Sequence, residues 1–221
     1  MDWLTDPSDR PYLEVLELGA GTGQFTAQLI RWIPTVHAIE PDRRLLTTLR
    51  HNCPAAVATL GRGEALPLVE ASVDAVFAVG SWDWFEQYAA TAEVARVLRP
   101  SGRLAVAWNN LDHSVPWVAE LDERVACHHV PCHEPGMFAL PDGASFSLPE
   151  QKVISWHWNV SPVDLGLLFG SYRQALDLPA EKRAAVSTEV KQYIAEHPEL
   201  VEGDVVRVPI RTTCYRTQLK A

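Results

Sequence analysis

A strand that runs straight into alternating glycines leaves a chain few folds to choose from. Residues 15–25 read VLELGAGTGQF. The apolar run Leu13–Leu18 predicts a strand, and Gly19, Gly21 and Gly23 predict a sharp turn. Apolar residues at Phe25, Leu29, Ile30 and Ile33 then predict a helix over 22–32, stopped by Pro34. Strand, glycine turn and helix in this order open many doubly wound α/β sheets. There the missing Cβ atoms let a ligand lie against bare backbone.

The chain continues in the same rhythm. Val36–Glu40 predicts a second buried strand and 43–51 a helix ended by Asn52 and Pro54. Residues 55–60 predict a third strand, Val73–Val79 a central strand, 85–98 a helix closed by Pro100 and Gly102, and 103–108 a fifth strand. Strands alternating with helices at this spacing predict βαβ units and a mostly parallel sheet with helices on both faces. After Asn110 the pattern changes. Helices are predicted over 116–125, 161–175 and 179–197, the last opened by Pro179. A strand is predicted over 152–160, and 205–218 is β-rich and suited to an antiparallel edge. All 221 residues read as one domain, with a cofactor-binding core over 13–110 and an acceptor-side elaboration over 111–221.

The turn also discriminates among ligands. A dinucleotide fingerprint, G-x-G-x-x-G, needs glycine or alanine where this chain has Gln24 or Thr26. No Gly-Lys-Ser/Thr follows, so a phosphate-cradling Walker loop is excluded. Glu17, two residues before the first glycine, is awkward beside a pyrophosphate. It suits a ligand with cationic sulfonium and ammonium groups, such as S-adenosylmethionine. Glu40 ends the second strand seventeen residues beyond Gly23, where a carboxylate can accept both hydroxyls of a ribose. Either feature alone would be an ordinary turn or strand end; together and in order they predict a nucleoside site.

With these blocks in place the chain resembles the class I S-adenosylmethionine-dependent methyltransferases. Glu17-Leu18-Gly19-Ala20-Gly21-Thr22-Gly23 matches their first motif, and Ile39-Glu40-Pro41-Asp42 the acidic turn after strand two. Gly61 to Leu68 resembles the block that passes the adenine, Ser72 to Val76 the fourth strand, and Arg96 to Leu104 the turn before strand five. Within that superfamily the chain is similar to trans-aconitate and ubiquinone-type methyltransferases through Trp82-Asp83-Trp84-Phe85, Trp108-Asn109, Pro116-Trp117-Val118 and the tail around Tyr215. The likeness is strong over 13–110 and weak beyond.

The resemblance implies a Rossmann-like, seven-stranded sheet with a C-terminal helical elaboration. It also implies S-adenosylmethionine held by Glu17, Gly19, Ala20, Gly21, Gly23, Glu40, Pro41, Gly63, Glu64, Ala65, Val79 and Gly80. Such relatives carry His where Asp83 stands, often a small or acidic residue near Arg62, and a further N-terminal helix over the cofactor. A dozen residues precede the first strand here, so either this start is late or the pocket is more open than in such relatives.

Methyl transfer from a sulfonium is an in-line displacement that asks for alignment and exclusion of water. A base is needed only if the acceptor must lose a proton. Sites in such sheets lie beyond the carboxyl ends of the strands. That places Gly80, Ser81, Trp82, Asp83 and Trp84 at one reaction edge after strand four, with Trp108, Asn109 and Asn110 after strand five. Asp83 reads first as an N-cap for a helix starting at Trp84 or Phe85. It reads second as a general base or an attractor of a cationic acceptor. Trp82, Trp84, Trp108 and Asn109 are the candidate acceptor contacts, and Trp82 and Trp84 suit core packing equally well.

Composition narrows the partners. The net charge of −9, with Lys and Arg scattered, disfavours nucleic acid and anionic membranes. No apolar run approaches the ~20 residues of a membrane helix. The first six residues lack the basic and apolar regions of a secretory signal, so the expected setting is the cytoplasm, with Cys53, Cys127, Cys132 and Cys214 reduced. Cys127-His128-His129-Val130-Pro131-Cys132-His133 is dense in potential zinc ligands, but no second pair completes a closed site, and it reads as a His-rich loop. In Trp156-His157-Trp158 the tryptophans share one strand face, as core or interface residues do. Tyr172 and Arg173 could reach an anionic acceptor, although a solvated Arg is the plainer reading. The leading expectation is methyl transfer to a small-molecule acceptor, and eight tryptophans leave room for a homodimer face. The alternative is a non-catalytic S-adenosylmethionine-binding module.

Overall fold

The computed structural model describes residues 12–126, 138–171 and 179–220. Its contacts group the chain into two compact units. Unit 1 comprises 1–108, 136–152 and 213–221; unit 2 comprises 109–135 and 153–212.

In unit 1 the predicted alternation appears in order. Strand β1 is Glu14–Leu18, helix α1 Thr26–Leu29, β2 Thr35–Glu40, α2 Arg43–Asn52, β3 Val57–Leu60 and β4 Val73–Val79. A 3-10 turn, Trp82–Trp84, precedes α3, Gln87–Val97, and β5 runs Leu98–Leu111. β1 pairs in parallel with β2 and β4, β2 with β3, and β4 with β5. β4 is the central strand, with Val73 to Ala78 all buried. Burial on both faces explains why this strand reads as an unbroken apolar run. Val76 and Ala78 pack under Ala90, Val94 and Val97 of α3. Ala75 and Phe77 pack on the opposite face with Leu29 and Ile33. Helices cover both faces, as in a doubly wound sheet.

Two predicted boundaries move. The helix foreseen over 22–32 is regular only at Thr26–Leu29, because Gly19, Gly21 and Gly23 all take positive φ and prolong the turn. β5 starts at Leu98 rather than 103: the register jumps from Val73 opposite Leu98 to Ala75 opposite Arg103, and the turn at Ser101 (φ 65°) is absorbed as a bulge.

Unit 2 contains α4 (Pro116–Ala126), α5 (Pro162–Ser171) and α6 (Ala180–Glu196). α6 buries Val186, Val190, Tyr193 and Ile194 at helical spacing, against Val118, Leu121 and Val125 of α4 and Leu165 and Phe169 of α5. Gly166 allows close helix contact: a Cβ there would lie 3.0 Å from the Ser187 carbonyl oxygen.

The long strands β6 (Glu150–Val160) and β8 (Val205–Gln218) complete the sheet, with the short β7 (Val201–Glu202) hairpinned onto β8. The order is β3-β2-β1-β4-β5-β8-β6. Leu219 N donates to Gly102 O and Asp112 N to Pro209 O, so β8 runs antiparallel to β5. β8 was expected at the edge; it lies inside, and β6 takes the edge. Seven strands follow one path, and β7 is an eighth beside it. No described helix is long and apolar enough to cross a membrane.

Candidate functional site

The three glycines of the turn do different work. At Gly19 (φ 67°) a Cβ would stand 2.5 Å from Ser81 Cβ, and at Gly23 (φ 90°) 2.7 Å from Leu49 and 2.9 Å from Cys53 Sγ. Those two make room for the protein itself. At Gly21 (φ 59°) a Cβ would meet nothing within 4 Å. Gly80, beyond β4, has the same property at φ 67°. The bare backbone of Gly21 and Gly80 faces open space, at the carboxyl ends of adjacent strands.

Two buried carboxylates frame the turn. Glu40, 5% exposed, accepts from Gly21 N (2.8 Å) through one oxygen and from Asp42 N (2.9 Å) through the other. Each oxygen keeps a second lone pair for a ligand hydroxyl. Glu17, 2% exposed, accepts from the Thr26 hydroxyl. Burial pushes its carboxyl up to about 7; the Thr26 hydrogen bond opposes this, and the charge of Glu40 adds to it. The turn is pinned to β2 by Gly19 N and Ala20 N, which both donate to Ile39 O. Ala20 is buried with Ala38 and Leu46, and Pro41 is exposed.

The segment 61–68 is held by Glu93 and Arg96 of α3. Leu66 N donates to Glu93, and the Arg96 guanidinium donates to Glu93, Leu66 O and Leu68 O. Gly63 is buried on Phe85, where a Cβ would lie 2.9 Å from the ring. Glu64 accepts from Glu86 N, and Ala65 is exposed. Val79 ends β4, half-buried beside Gly80.

At the β4 edge the cap expected of Asp83 belongs to Glu86, which accepts from Tyr88 N and Ala89 N at the start of α3. A 3-10 turn intervenes, and it moves the helix start three residues on. Asp83 instead accepts from the Trp108 indole (2.8 Å). Trp108 and Trp82 are buried, 4% and 1% exposed; Trp82 packs edge-on against Phe85 and Phe138, and Trp108 against Tyr215. Trp84 presents 55% of its surface to solvent. Ser81 donates to Leu18 O (2.6 Å), tying the β4 loop to the first turn. Asn109 belongs to unit 2, where it accepts from Thr212. The sequence reading placed Ser81 at the reaction edge and Phe85 and Arg96 within motif blocks, but not their partners, and it assigned no site role to Thr26 or Glu93. The Ser81–Leu18 and Glu93–Leu66 bonds join residues 63 and 27 apart, which only the fold brings together. The Cys127–His133 loop and Tyr172 and Arg173 lie outside the described residues.

Comparison with known proteins shows the family and the fold. Residues 16–106 match the family model for a methyltransferase domain. An uncharacterized methyltransferase of Mycobacterium tuberculosis (strain ATCC 25618 / H37Rv) is 36% identical over 219 residues, covering 99% of this chain and 87% of that protein. A malonyl-[acyl-carrier protein] O-methyltransferase of Methylococcus capsulatus is 41% identical over 101 residues, 43% of this chain and 37% of that protein. Among solved structures, a protein of Anaeromyxobacter dehalogenans described as a type II methyltransferase shares the fold, with a TM-score of 0.65 at 20% identity over 99% of this chain and 94% of that one.

Proposed function

The chain belongs to the class I S-adenosylmethionine-dependent methyltransferases, and on that premise we propose that unit 1 binds S-adenosylmethionine and passes its methyl group to a small-molecule acceptor. The observation that carries this reading is Glu40. It is a buried carboxylate whose two oxygens each spend one lone pair on backbone and keep one, beside a Gly21 that a Cβ would not crowd.

The residues fit such a ligand. Glu40 accepts the ribose hydroxyls. Gly21 and Gly80 let the ligand lie against backbone. Glu17 attracts the methionine ammonium once ionised. Gly63 and Ala65 pass the adenine, with Phe85 behind Gly63. When bound, the cofactor supplies an electrophilic methyl on a cationic sulfonium. The chain then has to align an acceptor lone pair and exclude water. Asp83, oriented by the Trp108 indole, and the exposed Trp84 are the groups of unit 1 that meet the acceptor. The Methylococcus relative is matched over 43% of this chain, so its malonyl substrate stays with that protein. The setting is the cytoplasm, in keeping with the unpaired, buried Cys53 and Cys214.

Calorimetric titration with S-adenosylmethionine and S-adenosylhomocysteine, on the native chain and Glu40→Ala, tests the reading. Micromolar binding weakened at least 100-fold by Glu40→Ala is expected. Native binding that Glu40→Ala leaves unchanged overturns the ribose assignment. A protein that binds but forms no S-adenosylhomocysteine with any acceptor is a binding module instead.

A further inference from the structure

The edge strand β6 is unusually bare. Residues 150–157 are all exposed, so the strand shows solvent both faces as well as its free edge. Among the described residues β6 pairs with β8 alone. Val153 is 40% exposed, Ile154 38% and Trp156 40%. Proteins usually blunt such an edge with charges, proline, bulges or a covering element. From 151 to 160 the sequence is QKVISWHWNV, with Lys152 its single Lys, Arg, Asp or Glu and no proline or glycine. A long, apolar, unblunted edge invites another strand.

We propose that this edge is the interface with a second copy of the chain, joined by antiparallel pairing of β6 with its own symmetry mate about a two-fold axis at Ser155. The strand is self-complementary in that register. Ile154 faces Trp156 of the mate on one face, Val153 faces His157 on the other, and Lys152 faces the Trp158 ring. Aromatic with β-branched is a favourable cross-strand pair, and a cation over an indole is another. No like charges oppose each other.

Charge also selects this face. Two copies at −9 each repel over most of their surfaces. The acid of β6 is Glu150, paired with Arg216 (2.8 Å), and the register sets it opposite Val160 of the mate, so copies can approach there without opposing carboxylates. Eleven strand residues at ~3.3 Å each make an edge roughly 36 Å long, comparable with the breadth of a standard interface of about 800 Å² per partner. Isologous pairing closes at two copies, because each copy's edge is used up.

The test is mass in solution, by light scattering on a sizing column. Native chain at 50–100 μM is expected as a dimer. Ser155→Lys and Ser155→Glu each put like charges on the axis, and each alone weakens the dimer at least 30-fold with an unchanged circular dichroism spectrum. Mixed one to one, they restore it. Under oxidation Ser155→Cys forms a disulfide-linked dimer and Val153→Cys, offset from the axis, does not. A monomeric native chain overturns the proposal. So does a dimer indifferent to both charge variants, or one that Val153→Cys links as readily as Ser155→Cys.

Discussion

The glycine turn and the edge strand β6 sit at opposite ends of one scale. In the turn nearly every group is committed. Gly19 and Gly23 fill space that a Cβ cannot share, and Glu17 and Glu40 are buried with named donors. On β6 Val153, Ile154 and Trp156 keep about two-fifths of their surface in water. The first region can be read from its residue types because backbone conformation and burial dictate them. The second reads as a strand, but its role depends on what covers it. Substitutions should therefore separate the two regions by the size of their effects.

Gly19→Ala should be the most damaging. It combines a left-handed φ of 67° with a Cβ 2.5 Å from Ser81. Strain and clash together predict a loss of about 3–4 kcal/mol, read from urea unfolding. Gly21→Ala sharpens the point inside the turn itself. It has similar φ but no neighbour within 4 Å, so it should cost about 1 kcal/mol of stability. Its larger effect should be on S-adenosylmethionine affinity, since its Cβ enters the proposed ligand space. Equal losses at the two positions would mean that φ alone, and not the approach of Ser81, sets the requirement at Gly19.

Glu17 comes next. Its carboxyl sits near 7 in the folded protein against an ordinary 4.5. The folded state therefore holds a proton that the unfolded state has released between those values. Stability from this group is complete below about 4.5 and is lost as pH rises through about 7. Glu17→Gln should match the native protein near pH 4 and be the more stable by up to ~3 kcal/mol at pH 8.5. Unfolding midpoints across that range check it. In the proposed site the same ionisation should tighten S-adenosylmethionine binding from pH 6 to 8, and Glu17→Gln should flatten that dependence. A flat native profile would show that Glu17 stays away from the ligand's cation.

How much of this was legible in the sequence follows the same division. β1, the glycine turn, β2 and Glu40 are local: each is a short run whose residue types answer to its own backbone. The mostly parallel pairing could be read from the strand–helix rhythm. What could not be read is whatever rests on long-range pairing. Asp83 looked like a cap because Asp caps helices, yet Glu86 caps α3 while Asp83 meets an indole 25 residues away. Glu93 and Arg96 look like an ordinary surface pair one helical turn apart, and only the fold shows them holding Leu66 and Leu68. β8 was expected at the edge, but it lies between β5 and β6, and β6, which precedes it in sequence, took that place.

The smallest effect is expected on β6. The Trp156 indole donates to the Thr212 hydroxyl (2.7 Å), which donates to Asn109 (2.6 Å), all in unit 2, with Trp156 and Asn109 exposed and Thr212 half-buried. Water can replace either bond, so the chain of two is worth little net stability. Trp156→Phe removes the donor and keeps a ring that still pairs with Ile154 of a second copy. It should change stability by less than ~1 kcal/mol and leave the dimer intact. Trp156→Ala should also spare the fold, because the side chain is 40% exposed, but it should weaken the dimer by removing the aromatic partner. A loss beyond ~2 kcal/mol in Trp156→Phe would place β6 among the committed regions, and the contrast with the glycine turn would fail at the strand where it is drawn most sharply.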